Sequence, residues 1–307
     1  MRVRQSFSFI VPSPSAYELE VNRILALISL ILLTSLSGGF AAATKLVDLE
    51  YAKAGEISLK LDLYLPLDAK KSTLIVWVHG GAWRKGSKDS VSIESLVEKG
   101  YSIASIDYRL TPVAPFPANV HDIKAAIRFL RAHADRYGYD KEKIVVSGSS
   151  AGAHLAALVG VTNGHPNLEG KVGDHLDESS DIAAIVDFYG ASNLTTILKQ
   201  STPHGLSVRE PALDLLIGGH PETVPEMAKL ASPVFHVDAS DPPLLLIHGD
   251  QDPQMPINQA HEIHGAYKKL SLPVSFEVIH GGAHGGKAFF DAERLALVDW
   301  FLKKHLK

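Results

Sequence analysis

Residues 144–161 read IVVSGSSAGAHLAALVGV, and the fold turns on how that stretch is parsed. Ile144-Val145-Val146 is a short, unbroken, β-branched apolar run, as expected of a strand covered on both faces. From Ala151 to about Val161 the residues are small or apolar at helical spacing. Between them lies Gly148-Ser149-Ser150-Ala151-Gly152, the pattern G-x-S-x-G. A serine on a tight strand-to-helix turn projects its hydroxyl clear of the backbone. Glycines two residues to either side remove the Cβ atoms that would clash there. The helix that follows points free N–H groups and the positive end of its dipole at the same place. The bare pattern is a weak signal, because an idle serine in a glycine-rich turn reads the same way. The strand before it and the helix after it make it strong and mark Ser150 as the candidate nucleophile. Ser149 lacks the flanking spacing.

Working outward, the same strand–helix alternation recurs. Ile57, Leu59, Leu61, Leu63 and Leu65 share one face of a strand. Leu74-Ile75-Val76-Trp77-Val78 is a central strand. A helix is predicted around Val91–Lys99, a strand at Tyr101–Ile106, and a helix through Ile123, Ile127, Leu130 and Ala134. Strands follow at Ile182–Phe188, Leu244–Ile247 and Val274–Ile279, with helices at Ile257–Leu270 and Ala288–Leu306. This order implies an α/β architecture: a mostly parallel sheet with helices on both faces. Residues 190–235 break the rhythm. They are rich in Pro, Gly and His, and they read either as a small lid or pocket wall or as a surface excursion.

A hydroxyl needs a base to become a nucleophile near neutral pH. On an elbow of this kind, acid and base follow the serine in that order. After the strand at Leu244–Ile247 comes His248-Gly249-Asp250-Gln251-Asp252-Pro253. Asp252 lies further out, where it can turn back toward a histidine, and is favoured. Asp250, close to the strand end, is the alternative and is better suited to fixing the turn. Among the later histidines, His261 and His264 fall in a predicted helix, His280 ends a strand and His305 is in the tail. His284 stands in the loop Gly281-Gly282-Ala283-His284-Gly285-Gly286 and is the expected base.

His79-Gly80-Gly81-Ala82-Trp83 follows the strand ending at Val78 and has the look of a loop that donates backbone N–H groups to an oxyanion. The expected donors are the N–H groups of Gly81, Ala82 and Ala151. His79 is expected to anchor the loop. Trp83 is a candidate substrate-binding residue, the alternative being that it packs beneath the loop.

Composition removes other classes of chemistry. With a net charge of −4 there is no basic surface to suggest nucleic acid. With 0 cysteines there are no disulfides, thiolate metal sites or cysteine nucleophile. The histidines show no metal-ligand spacing with a matching carboxylate, so no metal and no cofactor are expected. At the N-terminus, Arg23 precedes the apolar run Ile24–Leu36, and Ala41-Ala42-Ala43 closes it with an A-x-A pattern. That reads as a signal peptide over residues 1–43, with an uncleaved anchor as the alternative. Glu18 and Glu20 sit awkwardly upstream of a signal, which suggests an over-extended start. The expectation is a secreted or periplasmic catalytic domain over residues 44–307.

Taken together, VWVHGGAWRKGSK, ASIDYRLTPVAPFPANVHDIKAAIRFLRAHADRYG, VSGSSAGAHLAALVG, VDFYGASNL, PPLLLIHGDQDPQMP and GGAHGG resemble the esterase/lipase branch of the α/β hydrolases. The nearest resemblance is to the bifunctional feruloyl and acetyl-xylan esterase-like group, from about residue 57 to the C-terminus. It implies the α/β-hydrolase fold and a triad falling on Ser150, Asp252 and His284. It also implies hydrolysis of short-acyl esters, such as acetyl or feruloyl groups on polysaccharide. An amidase or peptidase on the same scaffold is the alternative activity, and a binding module that keeps the fold without catalysis is a third reading. Ala153 and Met255 stand where such proteins often carry Gly and Val, and residues 190–235 match least.

Overall fold

The computed structural model describes residues 43–306. The signal-peptide expectation therefore lies outside the described residues. Eight strands form one sheet: β1 (Thr44–Ala54), β2 (Ile57–Leu65), β3 (Leu74–Val78), β4 (Ser102–Ile106), β5 (Ile144–Ser149), β6 (Ala184–Phe188), β7 (Leu244–Gly249) and β8 (Val274–Ile279). Their order is β1-β2-β4-β3-β5-β6-β7-β8. β1 and β2 pair antiparallel, and β2 pairs antiparallel with β4. From β4 to β8 every pairing is parallel.

Alternation along β3 shows why the sheet is covered twice. Leu74, Val76 and Val78 enter one apolar core with Ile123 and Ile127 of α1 (Ala118–Ala132) and Leu155 and Leu158 of α2 (Ala151–Gly160). Ile75 and Trp77 enter a second core with Leu96 and Val97 on the opposite face. There they meet Leu295, Val298 and Phe301 of α5 (Ala292–His305). Each fully buried side chain of this size contributes about 1.5–3 kcal/mol. α3 (Pro203–Ile217) and α4 (Asn258–Lys269) complete the longer helices used below. No helix among the described residues is long and apolar enough to cross a membrane.

Three elements differ from the sequence reading. β1 has no counterpart in it: most of its side chains are exposed or half-buried, so no buried stripe marks it. The helix expected over Val91–Lys99 is a single stretch of 3₁₀ helix at Glu94–Lys99. Residues 190–235 are far more helical than their composition suggests. They hold short helices at Ile197–Gln200 and Pro225–Leu230 as well as α3. α3 begins with Pro203 behind a Thr202 cap whose hydroxyl accepts the Gly205 N–H at 3.0 Å. Pro211 lies inside it and obscures the helical pattern.

The parallel strands run the same way, so their carboxyl ends share one edge. Val78 stands opposite Gly148, Ser149 opposite Phe188, Phe188 opposite Ile247, and Gly249 opposite Ile279. The loops carrying His79, Ser150, Tyr189, Asp252 and His284 thus converge at that edge, where open α/β sheets hold their ligands.

The elbow explains both its glycines. A Cβ on Gly148 would stand 2.6 Å from the Val78 carbonyl oxygen and 2.5 Å from the Gly152 carbonyl carbon. A Cβ on Gly152 would stand 2.5 Å from the His79 carbonyl oxygen and closer still to that of Val78. These obstacles are main-chain atoms of β3, of the residue that follows it and of α2, and cannot step aside. Gly152→Ala is expected to cost about 3 kcal/mol or more. The measurement is denaturant unfolding, and a midpoint equal to that of the unaltered chain would contradict this packing.

Candidate active site

Ser150 sits between β5 and α2 with φ 54° and ψ −118°. A non-glycine residue holds that conformation only when its surroundings over-determine it. Here its N–H donates to the Phe188 carbonyl at 2.9 Å, and its carbonyl accepts the His154 N–H at 3.0 Å. The hydroxyl is left facing His284, with Oγ to Nε2 at 2.8 Å. The other ring nitrogen, Nδ1, is 2.6 Å from Asp252 Oδ2. The second carboxylate oxygen, Oδ1, accepts the N–H groups of Gln254 and Met255, each at 2.8 Å. Burial by itself would raise the Asp252 carboxyl. The hydrogen bond and charge of His284, with the two backbone donors, outweigh burial and hold it below its usual value. An ionised carboxylate behind Nδ1 keeps the proton on that nitrogen and leaves Nε2 free to accept from the serine.

The other candidates are placed elsewhere. Asp250 Oδ2 pairs with His280 Nδ1 at 2.8 Å, and its Oδ1 accepts the Gly281 N–H at 2.7 Å. This is an exposed pair that fixes the turn between β7 and the His284 loop. His261 and His264 lie on α4 against Phe276. His305 ends α5 against Phe301. Among the described residues, no group of three or more His, Asp or Glu side chains is placed to share a metal ion.

In the loop after β3, Gly81, Ala82 and Trp83 all have positive φ, at 113°, 52° and 60°. Gly81 and Ala82 line a cavity of about 1010 Å³ that also reaches Ser150 and His284. Ala151 is buried and opens α2, so its N–H has no partner in the preceding turn. His79 holds the loop from behind. Its Nδ1 donates to the Gly80 carbonyl at 2.7 Å, and its ring stacks on Tyr108 at 4.5 Å. Burial keeps its pKa below the ordinary histidine value.

Trp83 is the correction. It is fully buried and does not line the cavity, and so packs beneath the loop, the alternative given above. Its indole turns inward because its N–H has a buried acceptor, His154 Nδ1, at 3.0 Å. His154 Nε2 in turn donates to the Ala231 carbonyl at 2.7 Å. With one nitrogen accepting and the other donating, His154 is neutral, and burial lowers its pKa to about 4. This chain ties the loop after β3 to α2 and to the 190–235 segment. No local sequence signal marks His154 as part of it.

Further residues at the site carry no such signal either. Tyr189 follows β6, lines the cavity and meets the His284 ring edge-on at 5.0 Å. His248 is buried, donates from Nε2 to the Met255 carbonyl at 3.0 Å, and is kept neutral by burial, with a pKa of about 4. Arg209 reaches the cavity from α3. Asp187 stands opposite Gly148 in the sheet register, with Oδ1 accepting the Gly190 N–H at 2.7 Å.

Burial raises the Asp187 carboxyl to about 7, with the Gly190 N–H pulling the other way. The folded protein therefore holds a proton there between about pH 4 and pH 7 that the unfolded chain releases. This group's contribution is full below the unfolded pKa and is lost as pH rises through the folded value. Asn at 187 can still accept the Gly190 N–H and carries no charge. Asp187→Asn is thus expected to melt higher than the unaltered protein at pH 8, with the gap closing at pH 4.5. A gap that widens toward acid would contradict the assignment.

The sheet order, with antiparallel β2 beside β4 and the serine elbow after β5, defines an α/β-hydrolase. The chain belongs to the BD-FAE family, whose profile matches residues 61–267. Esterase LipC of Mycobacterium tuberculosis is 31% identical over 71% of this chain and 54% of its own length. Esterase LipQ of the same organism is 30% identical over 91% and 65%. The chain thus spans between about half and two thirds of these relatives. Among solved structures, a truncated carbohydrate esterase from gut microbiota superposes with TM-score 0.78 at 32% identity, covering 86% of this chain and 97% of that one. A thermophilic esterase of Thermogutta terrifontis with propionate bound gives 0.69 at 30% identity, over 87% and 95%.

Proposed function

We propose that this chain is a serine carboxylesterase acting on short-acyl esters, with acetyl or feruloyl groups on polysaccharide as its targets. The observation that carries the reading is the relay from Ser150 Oγ through His284 to Asp252, at 2.8 and 2.6 Å, opening onto one cavity. His284 takes the serine proton as Oγ attacks the ester carbonyl. The N–H groups of Gly81, Ala82 and Ala151 receive the oxyanion. His284 then protonates the departing alcohol, and water repeats the sequence on the acyl-enzyme. The esterase relatives and the carbohydrate-esterase neighbour support ester over amide. Residues 1–43 act in this account as a cleaved secretion signal, which N-terminal sequencing of the exported protein checks.

A substrate panel tests the activity. p-Nitrophenyl acetate is expected to turn over faster than p-nitrophenyl palmitate, an aryl amide to turn over slowly or not at all, and acetylated xylan and methyl ferulate to release acetate and ferulate. Amide turnover matching that of the acetate ester would replace this reading with an amidase. No turnover of any member by pure, folded protein would leave the fold without the activity.

A further inference from the structure

The cavity has a sign that the chain as a whole does not. The full sequence carries a net charge of −4. The charged residues lining the cavity, apart from its histidines, are Arg84, Lys85, Arg209, Lys287 and a single carboxylate, Asp291. Asp291 is committed elsewhere: it caps α5 by accepting the Arg294 N–H at 2.9 Å and lies 3.5 Å from the Arg294 guanidinium. None of the four cations forms an ion pair among the described residues.

Arg209 is the telling member. It is 1% exposed yet lines the cavity. A guanidinium has five N–H donors in a fixed planar fork and stays charged at neutral pH. Here Nη2 donates to the Gln254 carbonyl at 3.0 Å, the guanidinium lies 5.6 Å from the Trp83 ring centre, and Nε has no partner. The nearby carboxylate of Asp252 acts on Arg209 through its charge alone: it makes no hydrogen bond to the guanidinium and is bonded instead to Gln254, Met255 and His284. Burying a cation without a hydrogen-bonded counter-charge is costly unless something repays it. A substrate carboxylate matches the unused part of the fork and its charge.

We propose that the site is built for esters that carry a carboxylate near the scissile bond, with Arg209 as the residue that reads it and Arg84, Lys85 and Lys287 drawing the anion in. The proposal rests on the esterase reading above. The carboxylate belongs either to the acyl part, as in a hemiester of a dicarboxylic acid, or to the sugar, as in an O-acetylated uronate polymer.

The test uses the full chain and two matched pairs. One pair is mono-p-nitrophenyl succinate against p-nitrophenyl butyrate. The other is O-acetylated polygalacturonate against O-acetylated xylan of equal acetyl content. At low salt, kcat/KM is expected to favour the anionic member of at least one pair by tenfold or more, and the pair that responds identifies the source of the carboxylate. Arg209→Met is expected to erase that ratio, chiefly through KM, and Arg209→Lys to keep part of it. Equal rates in both pairs with the unaltered protein would overturn the proposal, as would an unchanged ratio in folded Arg209→Met. The preference of the unaltered protein decides the matter even where the Met variant fails to fold. Neutral-ester turnover that is abolished by Ser150→Ala shows the esterase reading standing on its own. Absence of turnover of all four esters sinks the esterase reading, whereas turnover without anionic preference sinks only this inference.

Discussion

Ser150→Ala is expected to lower kcat/KM for p-nitrophenyl acetate by about 10⁴- to 10⁶-fold while leaving the fold intact. The hydroxyl is the one group at the elbow positioned to attack, with its proton directed at His284 Nε2 across 2.8 Å. Its removal takes the covalent step with it. The strained backbone at this position is held by the Phe188 carbonyl and the His154 N–H, both of which meet main-chain atoms that alanine retains. Far-ultraviolet circular dichroism and the melting temperature should therefore match those of the unaltered chain. Ser149→Ala is the companion variant. Ser149 also lines the cavity, but its hydroxyl has no hydrogen bond to His284. A loss of rate in Ser149→Ala comparable with that in Ser150→Ala would move the nucleophile by one residue.

Asp252→Asn carries the second large effect, a fall in kcat of about 10⁴-fold. Asn can keep the Gln254 and Met255 N–H groups on its oxygen. Its amide nitrogen then faces His284 Nδ1 and donates where the carboxylate accepted. The imidazole proton moves to Nε2, and the nitrogen that faces Ser150 can no longer take the serine proton. Asp250→Asn is the comparison, because the same loop offers a second Asp–His pair. That pair is exposed, and His280 is 86% accessible, so its effect on rate should stay within about twofold. Steady-state kinetics on both variants separates the two aspartates. Equal losses would leave the choice between them unresolved by chemistry and remove the reason to prefer Asp252.

The fold was legible in the sequence wherever burial leaves a pattern. The central strands read as continuous apolar runs because β3, β4 and β6 are buried on both faces along their whole length. β1 leaves no such trace, because its partner strand covers it on one edge and solvent meets most of its side chains. α3 hides behind Pro203 and Pro211, residues that speak against a helix interior and are tolerated here at its start and on its exposed face.

The site divides in a similar way. Ser150, Asp252 and His284 stand out because each is embedded in a turn whose chemistry is local, and the structure brings the three together. Trp83 was ambiguous because position alone does not say which way an indole faces. The inward turn is set by His154, from another element. Arg209, Tyr189 and Asp187 come from α3, the loop after β6 and β6 itself. Their placement depends on tertiary packing, and nothing in their own neighbourhoods announces it.

The central claim is that one serine hydroxyl, activated by one imidazole, is the nucleophile. A fluorophosphonate probe tests it most directly, since it bonds only to an activated oxygen. After incubation and digestion, mass spectrometry should find one adduct per chain, on Ser150, and His284→Ala should slow its formation sharply. An adduct on Ser149, or unreactive pure and folded protein, would contradict the account.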